Sequence, residues 1–266
     1  MPQVREFAIL ASYTCTVLIN KLHIPIKELV AADPKLGFVL HAQGIKFYEH
    51  ADSTIAAISD KYAFNLKQFI RQADWQYQYQ LLKDPLMLNK HAALHVMDYL
   101  SFMHRLFVKE KLPYFSAIIQ DFSNTTDDKR IADLKWAFPY FQEDFIHHIF
   151  EEEDHLFAYL RQLARSLEEK KISSKLMMEM ERCSIKEYSL HHLLDDDEMA
   201  GIRSLTNQYT HLPTDSLELR VLFFELREFE KELNFHARIE NEVLFPKALT
   251  MENGVRTLIH NTRSCN

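Results

Sequence analysis

Fourteen histidines stand in this 266-residue chain, and six are followed four residues later by an acid. The pairs are His147/Glu151, His148/Glu152, His191/Asp195, His192/Asp196, His211/Asp215 and His236/Glu240. On a helix, residues i and i+4 share a face, so each pair would set an imidazole beside a carboxylate. With 38 acidic residues in the chain, uniform placement gives only about two such pairs. Adjacent pairs that share one acidic stretch account for part of the excess. A second regularity is longer: His104, His148, His192 and His236 are each 44 residues apart. If one helix and its connection take that length, each helix brings one histidine near its middle. Four imidazoles at one level form a metal site in a bundle core. Glu152 and Glu240 lie about 6 Å further along helices that run the same way, four residues at 1.5 Å rise. They would face each other from opposite corners, each placed to bridge a pair of metal ions. A histidine and glutamate set without thiolates favours iron or manganese, with zinc also compatible.

A short internal repeat carries the same residues. His148-x-x-x-Glu152-Glu153-x-x-Leu156-Phe157 parallels His236-x-x-x-Glu240-Asn241-x-x-Leu244-Phe245-Pro246. Leu156 and Leu244 fall one turn below the glutamates on the same face and would roof the polar layer with apolar surface. His147, His155 and His191 are expected at the surface or behind the ligands. Glu151, Glu153 and Asp196 are expected to orient ligands by hydrogen bonds. His91, His95 and Asp98 suit a mouth or the surface, and Phe107, Phe138, Phe150 and Phe224 suit core packing. No Ser/His/Asp or Cys/His arrangement and no glycine-rich phosphate loop is present, which leaves enzymatic activity open.

The elements that must position these groups read as helices. Only 4 glycines occur in the chain, against an ordinary share of about 7%, and all-β folds consume glycine at their tight turns. From about residue 87, apolar residues recur at three- and four-residue spacing. Four segments follow, roughly 87–121 (with Pro113 as a kink or joint), 129–170, 175–209 and 214–250. Asp33-Pro34 and Lys83-Asp84-Pro85 punctuate the chain before them, because a residue preceding proline is pushed out of the helical region. The expected architecture is all-α: an up-down-up-down four-helix bundle over 87–252, preceded by a small helical domain over 1–82. A net charge of −7 gives no basic face for nucleic acid. No stretch reaches the ~20 apolar residues of a membrane span. The apolar run Phe7 to Ile19 reads as a packed segment, since Arg5 is cancelled by Glu6 and no clear cleavage pattern follows. Cys15, Cys183 and Cys265 are too few and scattered for a disulfide framework, so a cytoplasmic setting is expected.

Over about residues 90–250 the sequence resembles the hemerythrin-type cation-binding domain, in the branch known as repair of iron centres. His192 precedes Leu205-Thr206 by thirteen and fourteen residues, as in that family's third motif, with Arg203 and Tyr209 in matching positions. Tyr99 to His104 and Leu112-Pro113 resemble its first motif. The resemblance implies a di-iron centre held by His104, His148, Glu152, His192, His236 and Glu240, both glutamates bridging. It further implies repair of iron–sulfur clusters after nitrosative or oxidative stress, by iron donation or nitric oxide handling. The partners implied are iron–sulfur proteins or the diatomic ligands NO and O2, and a homodimer is admissible. The family's fifth histidine, some twenty residues beyond the first ligand, is missing. Either Asp121 supplies oxygen there or one iron keeps an open or water-filled position. Ala32-Asp33-Pro34, Gly44-Ile45-Lys46-Phe47 and Thr54-Ile55 resemble the family's accessory domain, but Tyr48 and Glu49 replace its two cysteines, and thiol chemistry is not carried over. Two other readings stand beside this one: an oxygen or nitric oxide binder or sensor without turnover, and a metal-free helical interaction protein.

Overall fold

A computed structural model of the chain describes residues 21–62, 64–79, 84–123, 128–182, 184–194 and 197–264, without the side chains of 60, 74–79, 191–194 and 262–264. The run Phe7 to Ile19, the three cysteines, Asp195 and Asp196 lie outside the described residues, as do the side chains of His191 and His192. The fold is helical. Among the described residues no strand forms, only an isolated bridge between Pro25 and Thr54. No described helix is long and apolar enough to cross a membrane. The chain packs into two compact units.

The first unit takes Met1–Lys83, Tyr114–Ser123 and Thr206–Phe229. Its helices include α1 (Ile26–Ala32), α2 (Lys35–His41), α3 (Ile55–Lys61) and α4 (Leu66–Tyr79). The Thr54 hydroxyl accepts from Ala57 N–H at 3.1 Å and so starts α3. Gly44, at φ +74°, supplies the left-handed turn after α2. Gly37 is needed for a different reason: a Cβ there would lie 2.8 Å from the Tyr114 hydroxyl. Phe38, Phe47, Phe69, Tyr114, Phe115 and Phe229 are buried in the core of this unit. Tyr48, which stands where the resembled family has cysteine, donates its hydroxyl to Asp121 at 2.5 Å. Lys46 Nζ lies 2.7 Å from the same Asp121 oxygen.

The second unit takes Asp84–Pro113, Asn124–Leu205 and Glu230–Asn266. The first long segment begins with a short 3₁₀ turn, Pro85–Lys90, capped by Asp84. It continues as α5 (Ala93–Leu106), a π-helical stretch Phe107–Lys111, and α6 (Leu112–Asp121) without interruption. The second runs as α7 (Lys129–Glu151), a π stretch Glu152–Phe157 and α8 (Ala158–Glu169). Asp128 caps α7 through Arg130 N–H, and Lys170 ends α8 in the left-handed conformation. The last runs as α12 (Leu217–Ile239), a π stretch Glu240–Leu244 and α13 (Phe245–Ser264), well past the expected end at 250.

The third segment differs from the single helix expected over 175–209. It is α9 (Ser174–Arg182), α10 (Ile185–Leu194) and α11 (Ala200–Leu205). A capping box explains the first break. Ser184 N–H donates to Glu187 Oε2 at 2.7 Å while Glu187 N–H donates to Ser184 Oγ at 3.3 Å, which restarts the helix. The helix restarts as α11 at Ala200, where Asp197 C=O accepts from Ala200 N–H. Within the second unit α13 packs on α8 and α10, and α11 packs on α7.

The three π stretches share a location, and two of them share a local cause. Pro113 and Pro246 each follow a π stretch by two residues. Proline lacks the N–H for the i−4 carbonyl and its ring presses on that carbonyl, so the preceding turn widens. Leu112 N–H accordingly reaches Phe107 C=O, and Phe245 N–H reaches Glu240 C=O, each five residues back. Proline alone is not sufficient, because Pro139 is carried inside α7 without one. All three π stretches abut the repeat histidines and glutamates: one begins three residues after His104, and the other two begin at Glu152 and Glu240. Such turns favour functional sites because they re-aim side chains without ending the helix.

Candidate metal centre

α5 buries one apolar face, with Val96, Leu100 and Met103 fully covered, and His104 follows at the same inner level, 2% exposed. α7 delivers His148 near its C-terminus and Glu152 one turn on, at the first residue of its π stretch. α12 delivers His236, and Glu240 opens the last π stretch with no exposed surface at all. Leu156 and Leu244 are buried beneath the two glutamates, as the repeat predicts.

Three of these groups meet. His104, Glu152 and His236 are all buried and offer ligand atoms within 4.8 Å of one another. His104 Nε2 lies 2.7 Å from His236 Nε2 and 3.2 Å from Glu152 Oε2. The other nitrogen of His104, Nδ1, lies 2.9 Å from Glu153 Oε1. A carboxylate that accepts from Nδ1–H leaves the Nε2 lone pair for a cation, the arrangement in which metal-binding histidines are normally held. His236 turns its Nδ1 to Glu240 Oε2 at 3.3 Å. His148 joins from the rim: its Nε2 lies 3.0 Å from Glu152 Oε1 and 3.2 Å from Glu198 Oε1.

The electrostatics call for positive charge. Each buried carboxylate costs several kcal/mol to bring out of water unless a cation or strong donors compensate it. Glu152 and Glu240 together raise that demand. Burial pushes the His104 imidazolium down, but hydrogen bonds to Glu152 and Glu153 override it and lift its pKa to about 9. His148 goes the same way: burial opposes, and Glu152 with Glu198 carries it up to about 9. In the metal-free molecule these protons supply the cationic charge, and a divalent ion can take their place. Nitrogen and carboxylate donors with no sulfur suit iron, manganese or zinc.

Among the described residues, openings reach this cluster from more than one side. A cavity of about 30 Å³, room for one or two waters, is lined by Phe107, Phe145, His148, Glu198 and His236. A wider hollow of about 450 Å³ meets the same His148 and Glu198 between Phe141 and Ile202. On another side, a groove of about 630 Å³ leads past Asp98, Arg105, Lys109 and Arg161 to His104 and Glu153. Asp98 is therefore a mouth residue, as its position before His104 suggests.

Other expected residues are placed as follows. His147 and Glu151 form a loose, exposed pair 3.8 Å apart, so Glu151 orients no ligand. His91, His95 and His155 are exposed. Phe107 and Phe138 are core residues, but Phe150, expected there, is 56% exposed. It sits two residues from both His148 and Glu152, on the opposite helix face. Asp121 is engaged by Lys46 and Tyr48 in the first unit and is not in the gathered group. The side chain of His192, in α10, is outside the described residues. Glu198 was not singled out by spacing, because it shares no i+4 relation with a histidine. No family model and no curated protein matches this sequence.

Proposed function

We propose that this chain is a hemerythrin-like non-haem di-iron protein that serves iron–sulfur cluster repair under nitrosative or oxidative stress. In this reading the four segments carrying His104, His148, His192 and His236 form an up-down-up-down bundle, with Glu152 and Glu240 as bridging carboxylates. The observation that supports it best is the buried convergence of His104, Glu152 and His236, with Glu153 fixing His104 from behind. When bound, iron supplies a ferrous/ferric couple and coordination positions for a diatomic ligand.

The protein's own residues account for the remainder. Glu153 holds a proton at His104 Nδ1 and so keeps Nε2 turned inward. Leu156, Leu244 and Phe157 exclude bulk water from beneath the carboxylates. Phe107 and Phe145 wall the small cavity on the His148 side, whose size suits a ligand of a few atoms. That cavity also favours a second reading, reversible binding of NO or O2 without turnover.

Anaerobic reconstitution with ferrous iron, followed by mixing with a cluster-free iron–sulfur apoprotein and with NO, separates the two. Iron appearing in the apoprotein, with regained cluster absorbance, supports repair. A reversible NO or O2 spectrum with no iron transfer supports the binder. A folded protein that holds no iron contradicts both.

A further inference from the structure

We propose that Glu198 is a metal ligand, and that with His148 and Glu152 it builds a second cation position beside the His104–Glu152–His236 group. The inference deepens the metal-centre reading and rests on it. Glu152 divides its oxygens between two imidazoles: Oε2 faces His104 at 3.2 Å and Oε1 faces His148 at 3.0 Å. One carboxylate thus spans two clusters of donors. On the outer side, Glu198 Oε1 stands 3.2 Å from His148 Nε2. One nitrogen and two carboxylates form a hard, sulfur-free donor set of the kind that iron, manganese and zinc accept.

The segment that presents Glu198 is pinned on both sides. Asp197 forms a two-point pair with Arg203, one contact at 3.0 Å, and Arg203 also pairs with Glu230. Met199, on the other side, is buried at 2% exposure. An acidic run alone would be a solvated turn; here flanking anchors hold one acid against a histidine. His148 and Glu198 also line both the 30 Å³ cavity and the 450 Å³ hollow, so the second position faces the openings. Arg203 is accordingly a positioning residue for the segment.

The test is anaerobic titration of the metal-free chain with Co²⁺, read by elemental analysis and by the visible absorption of bound cobalt. Variants Glu198→Gln, Glu198→Asp and the surface control Glu151→Gln are compared, with far-UV circular dichroism to verify folding. The wild type and the control should bind about two equivalents, and Glu198→Gln about one, the second weakened at least ~10-fold. Glu198→Asp, shorter by one methylene, should weaken the second equivalent and spare the first. Two undiminished equivalents in both variants would overturn Glu198 as a ligand and leave the dinuclear reading standing, whereas only one equivalent in the wild type would overturn the second position and leave the first. No cobalt in the wild type would overturn both. If Glu198→Gln fails to fold, anomalous scattering from cobalt-loaded wild-type crystals decides: a second peak against the Glu198 carboxylate is expected, and a second peak elsewhere rejects the proposal.

Discussion

Single residues divide cleanly by burial. Replacing Glu152 or Glu240 with alanine removes a fully or nearly buried carboxylate from the cluster, whereas His147 and His155 stand in solvent. Metal affinity should fall by more than ~100-fold for Glu152→Ala and Glu240→Ala, and Glu153→Gln should cost ~10–100-fold through the His104 tautomer. His147→Ala and His155→Ala should bind as wild type; equal losses across the set, measured by competition with a chelator, would contradict the assignment. The protonation of His104 and His148 gives a second prediction. Both are raised from 6.5 to about 9, so the folded metal-free chain binds more protons than the unfolded chain between those values. Their contribution to stability is complete below 6.5 and lost as pH rises through 9. Thermal unfolding of metal-free protein should therefore show a midpoint that declines from pH 7 to 9.5, less steeply in His148→Ala; a midpoint that rises would refute it. Of these residues, the triad was legible in the sequence, because the repeat and the 44-residue spacing carry it. Glu198 was not legible, because its partner is 50 positions away and reaches it only through the packing of α11 on α7.

At the level of elements, helices were legible from apolar spacing, but their interruptions were legible only in part. The Ser184/Glu187 capping box is a local signal and divides the third segment; the apolar periodicity runs through it and hides it. The π stretches at Pro113 and Pro246 have a sequence cause, the prolines themselves. The one at Glu152 has no proline after it, and nothing local announces it. A π turn amounts to one residue inserted into a helix, so removing that residue should restore regular winding and keep the flanking packing. Deleting Asn241 should leave helical circular dichroism within a few per cent of wild type. Metal affinity should nonetheless fall ~10-fold or more, since Glu240 would turn away from His236. Unchanged metal binding in a folded deletion variant would show that the widened turn does not aim Glu240.

For the molecule as a whole, a centre that binds metal only when folded ties stability to loading. At a free metal concentration of 1,000 times Kd, the folded state gains about 4 kcal/mol. At ~2–4 °C per kcal/mol for a chain of this size, the melting temperature should rise by roughly 10 °C. Adding the same metal to a His104→Ala/His236→Ala double variant should give little or no rise, and a similar rise there would place the binding elsewhere. The net charge of −7 and the helical class were evident from composition. The makeup of the first unit was not, since it draws on segments 114–123 and 206–229 as well as the N-terminal part. In it Asp121 answers Lys46 and Tyr48, a pairing across more than seventy residues that no local pattern reveals. The most direct measurement is elemental analysis of wild-type and His104→Ala/His236→Ala protein, freshly purified after iron-replete expression. At least about one iron per chain in the wild type, lost in the folded double variant, is the predicted result. A folded wild type with no transition metal, or a double variant with undiminished iron, would contradict the account.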